Sequence, residues 1–157
     1  MGWTAIVVDD REKFLNAERF PLASTFVHVE RPCDAGSAVG VDERTHVVVM
    51  SHNYLRDQEY LKGFLGTPAA YLGLLGPTVR RERLLADLRT EGVEPSPEDL
   101  EKMHGPAGLD LGGDGPEEIA AAIVAEVLAV RRGRGAGFLR DRAGPIHERS
   151  EDSGAWR

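Results

Sequence analysis

Residues 46–53 read His-Val-Val-Val-Met-Ser-His-Asn, and the reading of this octet decides the fold. A continuous β-branched run with no polar alternation belongs to a strand covered on both faces, the usual state of a parallel sheet. The polar triplet Ser51-His52-Asn53 stops the strand, and Asn53 is a good N-cap for a helix over 54–65. Leu61, Phe64 and Leu65 give that helix its apolar face. A buried strand feeding directly into a helix is half of a β-α-β unit.

Further segments of the same kind lie on either side. Toward the N-terminus, Thr4–Val8 (TAIVV) predicts a strand ending in the polar turn Asp9-Asp10-Arg11. A short helix is expected over 12–19, stopped by Pro21. A second strand is expected over 25–29, and the small, polar stretch 34–44 reads as a loop. Toward the C-terminus, 69–75 (AAYLGLL) predicts another buried strand. Thr78 is expected to cap a helix running to Glu91, with Leu84, Leu85 and Leu88 at helical spacing and Gly92 as its stop. A short helix over 96–103, a glycine-rich loop over 105–115 and a helix from Pro116 to Val130 follow. The pattern predicts a three-layer α/β domain with a mostly parallel sheet over 1–130 and a mobile, Arg-rich tail over 131–157. In such sheets ligands gather at the carboxyl ends of the strands.

Composition narrows the class of function. The chain has 157 residues, 41% of them hydrophobic and 29% charged, which suits one globular domain. The net charge of −7, spread among interleaved basic residues, argues against broad nucleic-acid binding. No apolar run approaches the ~20 residues that cross a bilayer, and no secretory signal opens the chain. The single Cys33 excludes an internal disulfide and any CxxC metal or redox pair, so a reducing cytoplasm is the expected compartment.

Four segments in series carry a resemblance. They are VVDDREKF…AERFP (7–21), HVVVMSHNYLRDQEYL (46–61), YLGLLGPTVRRERLLADLRTEG (71–92) and GPAGLDLGGDGPEEIAAAIVAEVLAVRRG (105–133). Together they resemble the C-terminal Rossmann domain of the xanthine dehydrogenase accessory (XdhC/CoxI) family over residues 2 to about 133. The resemblance departs at Asn53, where the family usually has Asp, and at Pro77-Thr78, where it has Ser-Arg. A Rossmann unit normally opens with a strand and a G-x-G-x-x-G turn, and that fingerprint is absent from these 157 residues. The expected fold is therefore Rossmann-like without its usual first strand and glycine-rich turn. A missing N-terminal segment or a companion chain would supply them.

The resemblance implies an accessory, non-catalytic module for maturation of molybdenum hydroxylases such as xanthine dehydrogenase. It would bind molybdenum cofactor (molybdopterin) and assist insertion of the sulfurated form into the apoenzyme. A cysteine desulfurase is an implied further partner, and a homodimer is an assembly left open. The alternatives are a Rossmann-type oxidoreductase binding NAD(P), which the absent glycine fingerprint disfavours, and a truncated fragment without independent function.

The expected site residues follow from position at strand ends. Ser51, His52 and Asn53 offer a hydroxyl, an imidazole and a helix N-terminus to one ligand, or else serve only to cap the helix. Gly73 and Gly76 permit close backbone approach, and Thr78 and Arg80 open a helix whose N–H groups favour an anion. Arg80, Arg81 and Arg83 read better as a solvated face paired with Glu82 or Asp87. Asp9 stands where a Rossmann strand offers an acid to a ribose, with Arg11 as its alternative partner. The 108–115 loop reads as structural, with Asp110 anchoring the turn. Cys33 has only Arg31 nearby in sequence, which is thin support for sulfur transfer.

Overall fold

The computed structural model describes residues 2–144. Strand β1 spans Ile6–Asp9 and pairs in parallel with β2, Thr25–His28. Strands β3 (His46–Val49), β4 (Tyr71–Leu74) and β5 (Met103–His104) form a second parallel sheet in the order β3-β4-β5. The continuous apolar runs of β3 and β4 land in the centre of the molecule, and every residue of β4 is buried.

One side of the sheets is covered by α1 (Ala35–Val39), α2 (Tyr54–Phe64) and α3 (Thr78–Thr90). Their core holds Val47, Val49, Leu61, Phe64, Leu84 and Leu88, and Val8 and Val27 of the smaller sheet pack into it. A single core therefore runs beneath both sheets. The short α4 (Pro97–Glu101) opens on a capping box between Ser96 and Asp99. The last helix, α5 (Pro116–Arg131), covers the other side, packing Ile123 and Val127 on Tyr71 with Val48 and Leu75 beside them.

All strand ends that matter meet at one rim. Asp10, directly after β1, accepts hydrogen bonds from Arg56 Nε at 2.9 Å and from the Tyr60 hydroxyl at 3.3 Å. Both donors sit on α2, which begins just after β3. The carboxyl end of β1 thus lies beside α2, the helix that follows β3.

The α/β class and the parallel pairing expected from sequence are present, as a partial Rossmann-like sheet. Several local expectations are corrected. Residues 34–44 are not all loop: a 3-10 turn (Pro32–Asp34) leads into α1. The small residues there serve packing, because a Cβ on Gly36 would overlap the carbonyl oxygen of Gly63. The helix expected over 12–19 shrinks to the 3-10 turn Glu12–Phe14. Asn16 diverts the backbone by accepting the Arg19 N–H at 2.9 Å and donating to the Lys13 carbonyl at 3.1 Å. Thr78 is not the cap of α3 but its first helical residue, and the N-cap Pro77 offers no side-chain acceptor. The helix expected over 96–103 ends at Glu101, since Met103 and His104 are recruited to the open edge of β4.

Of the expected tail, residues 145–157 lie outside the described residues. Residues 139–141 form a 3-10 turn, with Arg140 stacked 4.6 Å from the Phe138 ring centre. Among the described residues no helix is long and apolar enough to cross a membrane.

Candidate functional site

The sharp turn after β3 is built by Asp57, one turn into α2. Its carboxylate is 3% exposed and accepts the Ser51 N–H at 2.9 Å, the Ser51 hydroxyl at 2.6 Å and Arg80 Nη2 at 2.6 Å. A buried carboxylate is tolerable only when its lone pairs are filled this way. The Ser51 hydroxyl also accepts the Asn53 N–H at 3.3 Å, and Asn53 Oδ1 caps α2 by accepting the Arg56 N–H at 3.0 Å. Ser51 and Asn53 are thus fully engaged in shaping the turn.

The residue they hold between them is His52. It adopts φ +58°, the left-handed region that a non-glycine residue enters at a cost of about 1 kcal/mol or more. Its imidazole is exposed and makes no hydrogen bond among the described residues. Strain concentrated on one unpaired histidine at a strand end points to a functional position.

Opposite His52 lies the turn after β4. Gly76 takes φ +114°, and a Cβ there would approach Arg80 Cδ to 2.6 Å. Glycine therefore leaves room for the Arg80 side chain to lie along the turn. The guanidinium of Arg80 stacks 5.3 Å from the Tyr54 ring centre, with that of Arg83 5.1 Å from the same ring. Burial, then the hydrogen bond to Asp87, pushes the Tyr54 hydroxyl up to about 12, so it stays a neutral donor. Met50, His52, Asp57, Leu75, Gly76 and Arg80, with Pro77 at the lip, line an open cavity of about 220 Å³. Arg80, in the first turn of α3, thus lines the same space as the imidazole.

Of the residues singled out from sequence, this cavity gathers His52, Gly76 and Arg80, with Ser51 and Asn53 directly behind. Thr78 is exposed at the start of α3 beside it. Gly73 lies elsewhere, inside β4, where a Cβ would come within 2.7–2.8 Å of the Tyr71 ring and hydroxyl. Asp9 and Arg11 sit on the same rim but outside the cavity, joined by bonds of 2.8 and 2.9 Å. Burial of Asp9 is outweighed by those bonds, which hold its carboxyl below the ordinary range. Both oxygens that a ribose would require are therefore committed to Arg11.

Arg80 pairs with Asp57 instead of Glu82, and Arg83 with the Tyr54 face instead of Asp87. Asp110 is exposed and anchors nothing among the described residues; the 108–115 loop is tied by Glu126, which accepts the Gly108 N–H at 2.7 Å. Cys33 Sγ is 4.0 Å from Asp34, whose carboxylate is also bonded to Arg31. Among the described residues no cluster of His, Cys, Asp and Glu is arranged to hold a metal.

The fold is that of a Rossmann-type α/β domain, and the cavity lies at the carboxyl rim of its parallel sheet. Residues 1–127 match the family model described as the XdhC Rossmann domain, and the chain belongs to that family. It is 31% identical over 139 residues to the Escherichia coli K12 protein YqeB, itself uncharacterized, covering 88% of this chain and 25% of that one. It is also 31% identical over 131 residues to a Bacillus subtilis 168 protein named as a probable xanthine dehydrogenase component, covering 83% of this chain and 37% of that protein. The crystal structure of a Bacillus halodurans protein described as a xanthine dehydrogenase superposes with a TM-score of 0.70 at 30% identity, over 84% of this chain and 38% of that one. The chain thus spans well under half the length of these relatives.

Proposed function

We propose that this domain is a non-catalytic accessory module in the maturation of a molybdenum hydroxylase of the xanthine dehydrogenase type, working in the cytoplasm. The His52–Gly76–Arg80 cavity holds an anionic pterin, molybdenum cofactor, on its way to the apoenzyme. The observation that carries the reading is the meeting of an unpaired, strained imidazole, a glycine turn and a helix start in one cavity of an XdhC-family chain. The Bacillus subtilis relative, whose name places it with xanthine dehydrogenase, adds the enzyme class.

The residues present suit such a group. His52 has both ring nitrogens free to donate to an anionic oxygen or accept from a pterin N–H. Arg80 is fixed by Asp57, which leaves the far edge of its guanidinium as a directed donor instead of a mobile charge. When bound, the cofactor supplies the molybdenum centre and the sulfido ligand that the client enzyme uses. This chain contributes orientation and exclusion of water on one side. A cysteine desulfurase that delivers the sulfur belongs to the same proposal.

The test is recovery of oxidised, fluorescent pterin from the protein purified from cells that make molybdenum cofactor, together with retention of a molybdenum hydroxylase apoenzyme. Pterin is expected with the wild type and about five- to tenfold less with His52→Ala, the loss of one hydrogen bond. Absence of both pterin and apoenzyme, with a longer relative as positive control, would overturn the proposal.

A further inference from the structure

Two successive arginines of α3 are seated alike and end differently. A Cβ on Gly76 would stand 2.6 Å from Arg80 Cδ, and one on Gly105 would stand 2.8 Å from Arg81 Cδ and 3.2 Å from its Cβ and Cγ. Each glycine thus leaves a seat for an arginine stem, in the turn after β4 for Arg80 and in the turn after β5 for Arg81. These turns are neighbours, since the Ala107 N–H donates to the Leu74 carbonyl at 3.0 Å. Arg80 ends on Asp57 at 2.6 Å. Arg81 ends on no acid.

Among the described residues Arg81 makes neither a hydrogen bond nor an ion pair, and its Nε is buried. Its own helix supplies no partner, because the positions three and four away are Pro77, Thr78, Leu84 and Leu85. The pairing with Glu82 or Asp87 expected from sequence is therefore absent here as well. A buried N–H on a charged group is costly without an acceptor, and a glycine kept free to seat that group gives the position a purpose.

Local charge indicates the acceptor. Asp57 balances Arg80, whereas Arg83 is exposed and meets only the Tyr54 ring. Arg81 and Arg83 are thus two cations without a carboxylate among the described residues, in the first two turns of a helix whose dipole is positive there. A dianion offsets both charges where a monoanion offsets one. The planar guanidinium offers Nε and one Nη as a fork that matches two phosphate oxygens.

We infer that Arg81 binds phosphate, as the free ion or as a monoester group, on the Gly105 side of α3. A rotation of the guanidinium toward the rim brings Nε onto the anion and gives it the acceptor it lacks. Arg81 does not line the His52 cavity, so nothing in this site depends on pterin binding.

NMR of the arginine Nε–H groups in the whole chain tests it, with inorganic phosphate, ribose 5-phosphate and acetate as probes. The Arg81 signal is expected to shift saturably with both phosphates at about millimolar concentration, and with acetate about tenfold less tightly. Tighter binding of ribose 5-phosphate than of inorganic phosphate identifies an ester as the ligand, and equal or weaker binding identifies the free ion. Arg81→Lys keeps the charge but loses the fork, and is expected to weaken phosphate about tenfold. Arg81→Gln is expected to abolish the response while leaving the amide spectrum of β3 and β4 unchanged. Gly105→Ala fills the seat but keeps the arginine, and is expected to weaken phosphate in the same direction. Three results would overturn the inference: wild-type phosphate affinity in Arg81→Gln, acetate bound as tightly as phosphate, or an Arg81 signal that answers neither phosphate.

Discussion

Asp57 is the residue on which the rim depends. Among the described residues it is the one carboxylate lining the cavity, and it ties the β3 turn to α3 through Ser51 and Arg80. Removing it leaves the Arg80 guanidinium and the Ser51 N–H without their acceptor in a partly buried site. Asp57→Ala is expected to lower the unfolding free energy by about 1–3 kcal/mol in urea titration, and to abolish pterin retention as Arg80 swings free. If Asp57→Ala unfolds at the wild-type urea midpoint, the carboxylate is not the tie described. Two less exposed acids, Asp9 and Asp99, contribute to the pH response. Burial raises the carboxyls of Asp9 and Asp99, but it is outweighed by Arg11 on the first and by Lys102, the Gly66 N–H and Ser96 on the second, so both sit below their ordinary 3.8. A depressed carboxyl contributes stability that is fully present above the unfolded value and lost as pH falls through the folded one. The melting temperature is therefore expected to lose this contribution only below about pH 4, with Asp99→Asn flattening the fall. An unchanged acid profile in Asp99→Asn would show that Asp99 plays no part in it.

At the scale of elements, two glycines let α2 touch α1 and the 3-10 turn before it. A Cβ on Gly63 would stand 2.6 Å from the Cys33 carbonyl oxygen, and one on Gly36 would overlap the Gly63 carbonyl. Backbone cannot retreat as a flexible side chain can, so Gly63→Ala is expected to cost about 3 kcal/mol or more, read by calorimetry. Gly112→Ala, with nothing near its Cβ, bears only the strain of its φ of +72°, about 1 kcal/mol. Equal losses for the two would contradict the packing role. This contrast also explains what was legible in the sequence. β3 and β4 declare themselves because continuous apolar strands need no tertiary partner to be recognised. Stretch 34–44 reads as loop because Ala35 and Gly36 owe their helical state to contact with α2, which no local pattern encodes. β5 is two residues long and exists only through the edge of β4. His52, Gly76 and Arg80 were legible from their place at strand ends. Asp57 was not, because an acid in the first turn of a helix reads as a complement to the dipole.

For the whole molecule, the division into a two-stranded and a three-stranded sheet sets how it opens. A two-stranded unit is marginal by itself, and β1–β2 is held by Val8 and Val27 in the shared core and by Asp10 on Arg56 and Tyr60. Native-state hydrogen exchange is expected to give β1–β2 a lower opening free energy than β3–β4, and Arg56→Ala to lower it further without touching β4. One global opening energy for all strands would mean that the sheets are coupled more tightly than their hydrogen bonds indicate. The rim is shared by both sheets, but its cavity belongs to the stable one, so a ligand held by His52 and Arg80 does not need the smaller sheet to be closed. The most direct measurement of that claim is an amide chemical-shift map of the chain titrated with molybdopterin. Saturable shifts are expected, confined to residues 50–53 and 75–80 and lost in His52→Ala. Shifts that centre on Asp9–Arg11 or on the α5 face, or no shifts at all, would contradict it.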